Sequence, residues 1–209
     1  MGLETITTDR KEEIAQSIGE ILKELIKKGT AEMEAYFEDN TDKAIEELHK
    51  SMQSVYRQAS QMQKEDKFGK LCYIRVFPRR VAILEGTYHF TIRLYDENGY
   101  TNPVEISEEW RPEFIETTFE KQLQQVQKKV NSRVFRLTTR EQQLVKLMYG
   151  NAFQFIVMEY LTGMSAAFVL VEGIEKVMCA DAIILTFGNY LEEGVKVEVF
   201  ANPVAGEKA

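Results

Sequence analysis

Cysteine and histidine, the side chains that most often bind zinc, are scarce in this chain of 209 residues, which has two of each. His49 and His89 stand without an HxxxH or CxxC companion, so the usual zinc motifs are absent. Cys72 and Cys179 have aliphatic neighbours on both sides, a setting typical of small buried hydrophobic residues and not of reactive thiolates. The sequence therefore predicts no metal site and no cofactor.

A run of about 18 apolar residues, the length that spans a membrane, is also missing. Residues 1–10 are polar where a secretory peptide needs its apolar stretch. Basic residues are outnumbered: the formal net charge is -7 and the pI is near 5.1, which disfavours DNA or RNA as the main partner. We therefore expect a cytoplasmic protein without a membrane span.

Recognisable catalytic motifs are missing too. The chain has no GxGxxG after a strand, no GxxxxGK[ST], no GxSxG and no EF-hand loop. Paired carboxylates such as Glu46 with Glu47 carry no signal of burial that would raise a pKa for acid catalysis. No catalytic residue is assigned, and whether the protein is an enzyme stays open, with the balance towards none.

The N-terminal third is predicted to be helical. Between Asp9 and Lys28 the apolar residues recur at spacings of three and four, as on an amphipathic helix. The polar stretch from Glu38 to Asp42 then interrupts the helix or bends it. A second, narrower stripe like a coiled-coil seam follows; its residues are Ile45, Leu48, Met52, Val55, Ala59 and Met62. The two stripes predict a helical hairpin, whose faces pack on each other or on a second copy of the chain.

After Gly69 the apolar spacing changes to two, which indicates strands. One strand is predicted around Ile74 and a second from Tyr88 to Leu94, with a short apolar run, Val81 to Leu84, between them. A strong turn signal, Asp96 to Gly99, precedes a third strand near Ile106. These segments form an antiparallel meander.

The rest of the chain predicts two helices and then strands. Pro112 opens a helix that reaches about Asn131, and Thr138 with Glu141 has the spacing of a capping box at the start of the next. Short apolar runs follow and predict strands: Phe168 to Val171, Ala182 to Phe187 and Val195 to Val199. For the first of these runs a helix within Ser165 to Met178 is the alternative. Segregated helices and strands favour an α+β fold, divided at residues 1–66 and 67–209 or forming one continuous domain.

A polar face of the meander is the candidate ligand site. Tyr73 and Arg75 on one strand and His89 and Arg93 on the next alternate with apolar residues, so neighbouring strands would bring them together. Two planar guanidinium groups suit a phosphate or a carboxylate. The alternative is an ordinary solvated face of a half-buried sheet.

The candidate interaction residues belong to the second helical stripe and to the single tryptophan: Ile45, Leu48, Met52, Val55, Met62 and Trp110. They support a first hypothesis, a non-enzymatic assembly protein that associates with itself or with a protein partner through its N-terminal helices. The second hypothesis is a domain that binds a small anionic ligand, or acts on one, at the polar face. A third, a nucleic-acid-linked regulator, is disfavoured by the acidic charge.

Overall fold

The computed structural model describes residues 8–190, 192 and 194–203, so the expectation drawn from the first residues of the chain lies almost wholly outside it. The α-helices are α1 (Thr8–Lys64), α2 (Arg80–Glu85), α3 (Glu113–Arg133) and α4 (Thr139–Gly163). The strands are β1 (Leu71–Pro78), β2 (Phe90–Tyr95), β3 (Ile106–Trp110), β4 (Cys179–Phe187) and β5 (Val195–Ala201). Short 3-10 helices cover Gly99–Thr101, Ser165–Phe168 and Ile174–Lys176.

The two N-terminal helical segments form one long helix, α1, and not the expected hairpin. The helix is kinked at Asn40, whose backbone has φ -130° and ψ 16°. The Asn40 amide donates to the carbonyl oxygen of Tyr36 at 3.1 Å, and the Thr41 hydroxyl donates to that of Phe37. Side chains that bond to the preceding turn in this way bend a helix without ending it. The polar stretch therefore bends α1, one of the two alternatives that the sequence left open, and the predicted hairpin does not form.

The first half of α1 packs between α3 and α4. Ion pairs join Glu20 to Arg133 and Glu32 to Lys121, the latter at 3.0 Å, so α3 runs antiparallel to α1. The predicted capping box starts α4: the Thr138 hydroxyl accepts from the Glu141 backbone N–H, and the Glu141 carboxylate accepts from that of Thr138. Helices α1, α3 and α4 thus form a layer on the sheet.

The sheet has the strand order β3-β2-β1-β4-β5. The predicted meander β1-β2-β3 is confirmed, and β4 lies parallel to β1 while the other pairs are antiparallel. Val81 to Leu84, the apolar run between the first two strands, lies in α2. The run from Phe168 is not a strand: it continues a 3-10 helix, the helical alternative for this segment, and the N–H groups of Val169 and Leu170 both donate to the carbonyl oxygen of Ala166.

One hydrophobic core lies between the helices and one face of the sheet. It contains side chains from α1, such as Met52 and Val55, together with strand and helix residues of the rest of the chain. Tyr88 lies at its centre, with ring centroids 4.9 Å from Phe119 and 5.0 Å from Phe153. The fold class is therefore α+β, as predicted, and within the described residues no helix has the length and apolar character needed to cross a membrane.

Candidate functional site

The second face of the sheet carries the predicted polar residues. Tyr73 lies directly opposite Tyr95, and Arg75 opposite Arg93, on the neighbouring strands β1 and β2. Side chains alternate along a strand, so these four point away from the core side of the sheet, where Ile74, Val76 and Leu94 are buried. The structure thus brings three of the four predicted ligand-binding residues, Tyr73, Arg75 and Arg93, onto one face.

Two loops add further tyrosines to this face. Tyr100, in the turn after β2, lies with its ring 5.1 Å from the Arg75 guanidinium carbon. Tyr190, in the loop after β4, lies 6.0 Å from that of Arg93, and its hydroxyl accepts from Arg93 Nη1 at 3.2 Å. Each guanidinium therefore has an aromatic ring beside it, an arrangement stabilised by cation–π attraction.

The turn that carries Tyr100 is held by a buried carboxylate. Asp96 is fully buried and accepts from the backbone N–H groups of Gly69 and Asn98, both at 2.9 Å, and from the Asn102 amide at 2.6 Å. Burial alone would raise its pKa, but these hydrogen bonds outweigh that effect and lower the pKa below the ordinary value. Asp96 thus fixes the position of Tyr100 through the turn.

The loop that carries Tyr190 depends on two glycines in close contact. A Cβ on Gly188 would lie 2.6 Å from the Cα of Gly194, which has φ +72°. A Cβ on Gly194 would lie 3.1 Å from Nη2 of Arg75. That same nitrogen donates to the carbonyl oxygen of Glu192. Glycine is needed here because the loop passes so close to β4 and to Arg75.

A pocket of about 400 Å³ opens at this face. Its lining is Tyr73, Arg75, Tyr95, Gly99, Tyr100 and Thr186, and we call it the tyrosine pocket. Thr186 lies opposite Arg75 on the neighbouring strand β4. A largely aromatic lining with a few polar groups is typical of small-ligand sites, and the volume lies within their usual range.

Three polar atoms in and beside the tyrosine pocket are buried without a hydrogen-bond partner. They are the hydroxyl oxygens of Tyr95 and Thr186 and the Nε of Arg93. Tyr95 and Thr186 are 5% and 8% exposed. Buried polar groups are normally paired, and each unpaired one costs about 1–3 kcal/mol. Three at one place mark a site that a ligand or ordered water would complete.

The protonation of Tyr95 fits a donor role in the tyrosine pocket. Burial raises the pKa of its hydroxyl above the ordinary value, while the nearby Arg93 and Arg75 act in the opposite direction. The hydroxyl consequently keeps its proton at neutral pH. It can therefore donate a hydrogen bond to an oxygen of a bound anion.

His89, the fourth predicted ligand residue, lies elsewhere. It directly precedes β2 and lies four residues before Arg93, about 13 Å away at the usual rise of a strand, and its Nε2 lies 3.4 Å from a carboxylate oxygen of Glu109. Burial lowers its pKa, and Glu109 opposes this. Its imidazole does not line the tyrosine pocket.

The predicted interaction residues lie mainly in the core. Leu48, Met52, Val55 and Trp110 are at most 1% exposed within the single chain, and Ile45 and Met62 are partly buried against them. The Trp110 ring packs on Phe90 and Phe168 at 5.4 and 5.8 Å. A partner could reach the four buried side chains only if α1 left the sheet.

Sequence reasoning missed three members of the site. Tyr95 follows Thr91 and Arg93 in the same alternation, so extending the pattern by one step would have found it. Tyr100 directly follows the predicted turn, Asp96 to Gly99, but no pattern in the sequence indicates that it folds back over β1. Thr186 had no signal, because its place opposite Arg75 depends on β4 lying parallel to β1.

Comparisons with known proteins add no assignment. No protein-family model, no curated protein and no solved structure matches this chain. Within the part of the chain that the structure describes, no cluster of three His, Cys, Asp or Glu side chains is placed to hold a metal ion. The geometry of the tyrosine pocket therefore carries the functional argument alone.

Proposed function

We propose that this protein binds a small anionic ligand in the tyrosine pocket, between Arg75 and the hydroxyl groups of Tyr95 and Thr186. The observation that carries the proposal is the pair of buried, unpaired hydroxyl groups in the lining of the pocket, Tyr95 Oη and Thr186 Oγ1, with the unpaired Nε of Arg93 beside them. A bound phosphate or carboxylate supplies acceptor oxygens to such groups, and charge-assisted hydrogen bonds are the strong ones.

The charge at the pocket supports the same ligand class. Arg75 and Arg93 face each other on adjacent strands, and like charges in that position destabilise a sheet. Arg75 donates to a backbone carbonyl, and no ion pair is present for it among the described residues. Arg93 has a carboxylate of Glu105 at 3.6 Å. The positive charge is therefore only partly neutralised, and an anion would balance it.

The lining of the pocket fits binding better than catalysis. Among its described residues the only hydroxyl of a nucleophile type, that of Thr186, has no base within hydrogen-bond distance. A nucleophile of that kind needs an adjacent base to be activated. We therefore assign binding and no reaction.

The test is thermal denaturation of the protein in inorganic phosphate, citrate or chloride at equal ionic strength. A ligand at 100 times its Kd stabilises the folded state by about 2.7 kcal/mol, so phosphate or citrate should raise the Tm and chloride should not. Arg75→Gln should abolish the rise. Arg57→Gln, at an exposed arginine on α1, should preserve it. Equal Tm values in the three salts, or a rise that survives in Arg75→Gln, would contradict the proposal.

Self-association is the second candidate function, and the free edge of the sheet favours it. The β3 edge is covered by α1, because Ser51 and Gln58 donate to the carbonyl oxygens of Glu109 and Ser107. The described residues place no strand beside β5 on its outer side. Val195 and Val199 on β5 are 60% and 44% exposed. An open strand edge is a template for another strand.

The sequence of β5 suits pairing with a second copy of the same strand. Antiparallel pairing about Val197 places Lys196 opposite Glu198 of the other copy, twice over, which is a favourable cross-strand pair. The pairing of β4 with β5 shifts register between Leu185 and Thr186, and irregular edges pair less well. For that reason this candidate ranks below ligand binding.

Sedimentation equilibrium distinguishes the two candidates. A dimer that Val199→Lys converts to a monomer, and that Leu170→Lys at another exposed apolar residue leaves intact, would support pairing through β5. A monomer at all concentrations would contradict self-association through β5.

The cytoplasmic location expected from the sequence fits the free thiols of Cys72 and Cys179.

A further inference from the structure

Aromatic residues make up half of the lining of the tyrosine pocket, which is more than a bare anion needs. Three of its six lining residues are tyrosines. Tyr73 and Tyr100 are 39% and 46% exposed, so large ring areas meet solvent. Phosphate and sulfate offer no apolar surface to such rings. A ligand that covers them gains contacts that a simple ion cannot make.

The rings and the charges occupy adjacent rows of the sheet. Tyr73 and Tyr95 form one cross-strand pair, and Arg75 and Arg93 form the next pair on the same face. Two residues along a strand separate the rows by about 6.6 Å. A ligand that lies along β1 therefore meets the rings of Tyr73 and Tyr95 at one end and the guanidinium group of Arg75 at the other.

The ring arrangement leaves room for one more planar group. Tyr95 and Tyr100 meet edge to face, with centroids 4.9 Å apart and planes at 63°, and Arg75 lies near the Tyr100 ring. Tyr73 stands on the neighbouring strand with no ring contact among the described residues. A flat ring that enters the pocket can therefore stack on Tyr73. Nucleobases are rings of this kind, and each of them stacks on aromatic side chains because each has a π-face.

We infer that the ligand is a nucleoside monophosphate, with its base on Tyr73 beside Tyr100 and its phosphate between Arg75 and the hydroxyl of Thr186. The inference rests on the anion binding proposed above and adds the planar ring to it. The volume of about 400 Å³ holds one nucleotide and not a chain of them. Acidity of the whole chain disfavours a polynucleotide.

Isothermal titration with seven compounds tests this inference. They are the four ribonucleoside 5′-monophosphates and, as comparisons, ribose 5-phosphate, inorganic phosphate and adenosine. At least one monophosphate should bind at least ~5-fold more tightly than ribose 5-phosphate, the low end of the stacking of one base. Tyr73→Ala should remove that advantage, so that the monophosphate binds no more tightly than ribose 5-phosphate. Phe155→Ala, at an exposed ring on α4, should change neither.

The outcomes separate the two proposals. Equal affinity for the monophosphates, ribose 5-phosphate and phosphate would overturn the nucleotide and leave anion binding in place, provided that Arg75→Gln abolishes it. A monophosphate advantage that survives in both Tyr73→Ala and Tyr100→Leu would also overturn the inference, because the ring would bind elsewhere. If adenosine binds as tightly as its monophosphate, the proposed anion binding is contradicted. If none of the seven compounds binds, both the anion binding and the nucleotide inference are contradicted.

Discussion

Arg75 and Arg93 lie directly opposite each other on β1 and β2, with their side chains on the face of the sheet that the helices leave open. Two positive charges so placed repel each other, and the rings of Tyr100 and Tyr95, 5.1 and 5.2 Å from the respective guanidinium carbons, offset part of this. Binding sites often keep such unfavourable arrangements because the ligand relieves them.

The first prediction concerns the stability cost of that pair. Arg75→Gln should leave the free energy of unfolding within about 0.5 kcal/mol of the parent, or raise it, when no anion is present, because repulsion from Arg93 is removed. Urea denaturation in a chloride buffer measures this. A loss above about 2 kcal/mol, in the range for core substitutions, would mean that Arg75 is chiefly structural.

A second prediction follows from the unpaired hydroxyl of Thr186. Thr186→Val replaces it with a methyl group of similar size, so the free energy of unfolding should rise by up to about 1 kcal/mol while the affinity for phosphate falls. Thr117→Val on α3 is the control. The hydroxyl of Thr117 donates to the carbonyl oxygen of Glu113 at 2.8 Å, so its loss should not stabilise the protein. Urea denaturation and calorimetric titration are the measurements. Higher affinity in Thr186→Val would contradict the proposed site.

The third prediction is a pH dependence of stability that arises from Asp96. Its pKa in the folded protein is lowered from 3.8, the value for the unfolded chain. A carboxyl group of this kind contributes stability that is fully present above the unfolded pKa and is lost as the pH falls through the folded pKa. The free energy of unfolding should therefore fall below about pH 4 through this group.

Asp96→Asn isolates the contribution of the carboxylate. The variant should be less stable than the parent at pH 7, and the difference should shrink as the pH is lowered, because the parent loses the same interaction on protonation. Asp39→Asn, at an exposed residue of α1, should show no such convergence. Parallel curves for parent and Asp96→Asn in denaturation experiments across the acid range would sink this account.

The sequence predicted the elements better than their arrangement. Alternation in β1 and β2 placed Tyr73, Arg75 and Arg93 on one face, because a period of two has only one geometric meaning. For the polar stretch around Asn40 the sequence left an interruption and a bend open, and the hairpin was wrong. Local side-chain hydrogen bonds decide whether such a stretch bends a helix or ends it. Thr186 could not be placed, because the partner of β1 beyond β2 is set by long-range packing that no local pattern records.

The last prediction contrasts two glycines of α1. Gly29 lies where α1 meets α3 and α4: a Cβ there would collide with the buried side chain of Ile156 and lie 2.8 Å from Nε2 of Gln122. Gln122 cannot easily yield, because that nitrogen donates to the Leu25 carbonyl at 3.1 Å and its oxygen accepts from Tyr149 at 2.5 Å. Gly29→Ala should therefore destabilise the protein by about 1–3 kcal/mol, as overpacked cores do.

Gly19 supplies the matched control in the same helix. A Cβ there has no atom within 4 Å, so Gly19→Ala should stabilise the protein by about 0.5–1 kcal/mol through the lower entropy of the unfolded chain. Opposite signs for the two substitutions in urea denaturation would show that α1 packs against α3 and α4 in solution. Stabilisation by both would mean that Gly29 is open to solvent and that the N-terminal half of α1 is free to meet another partner.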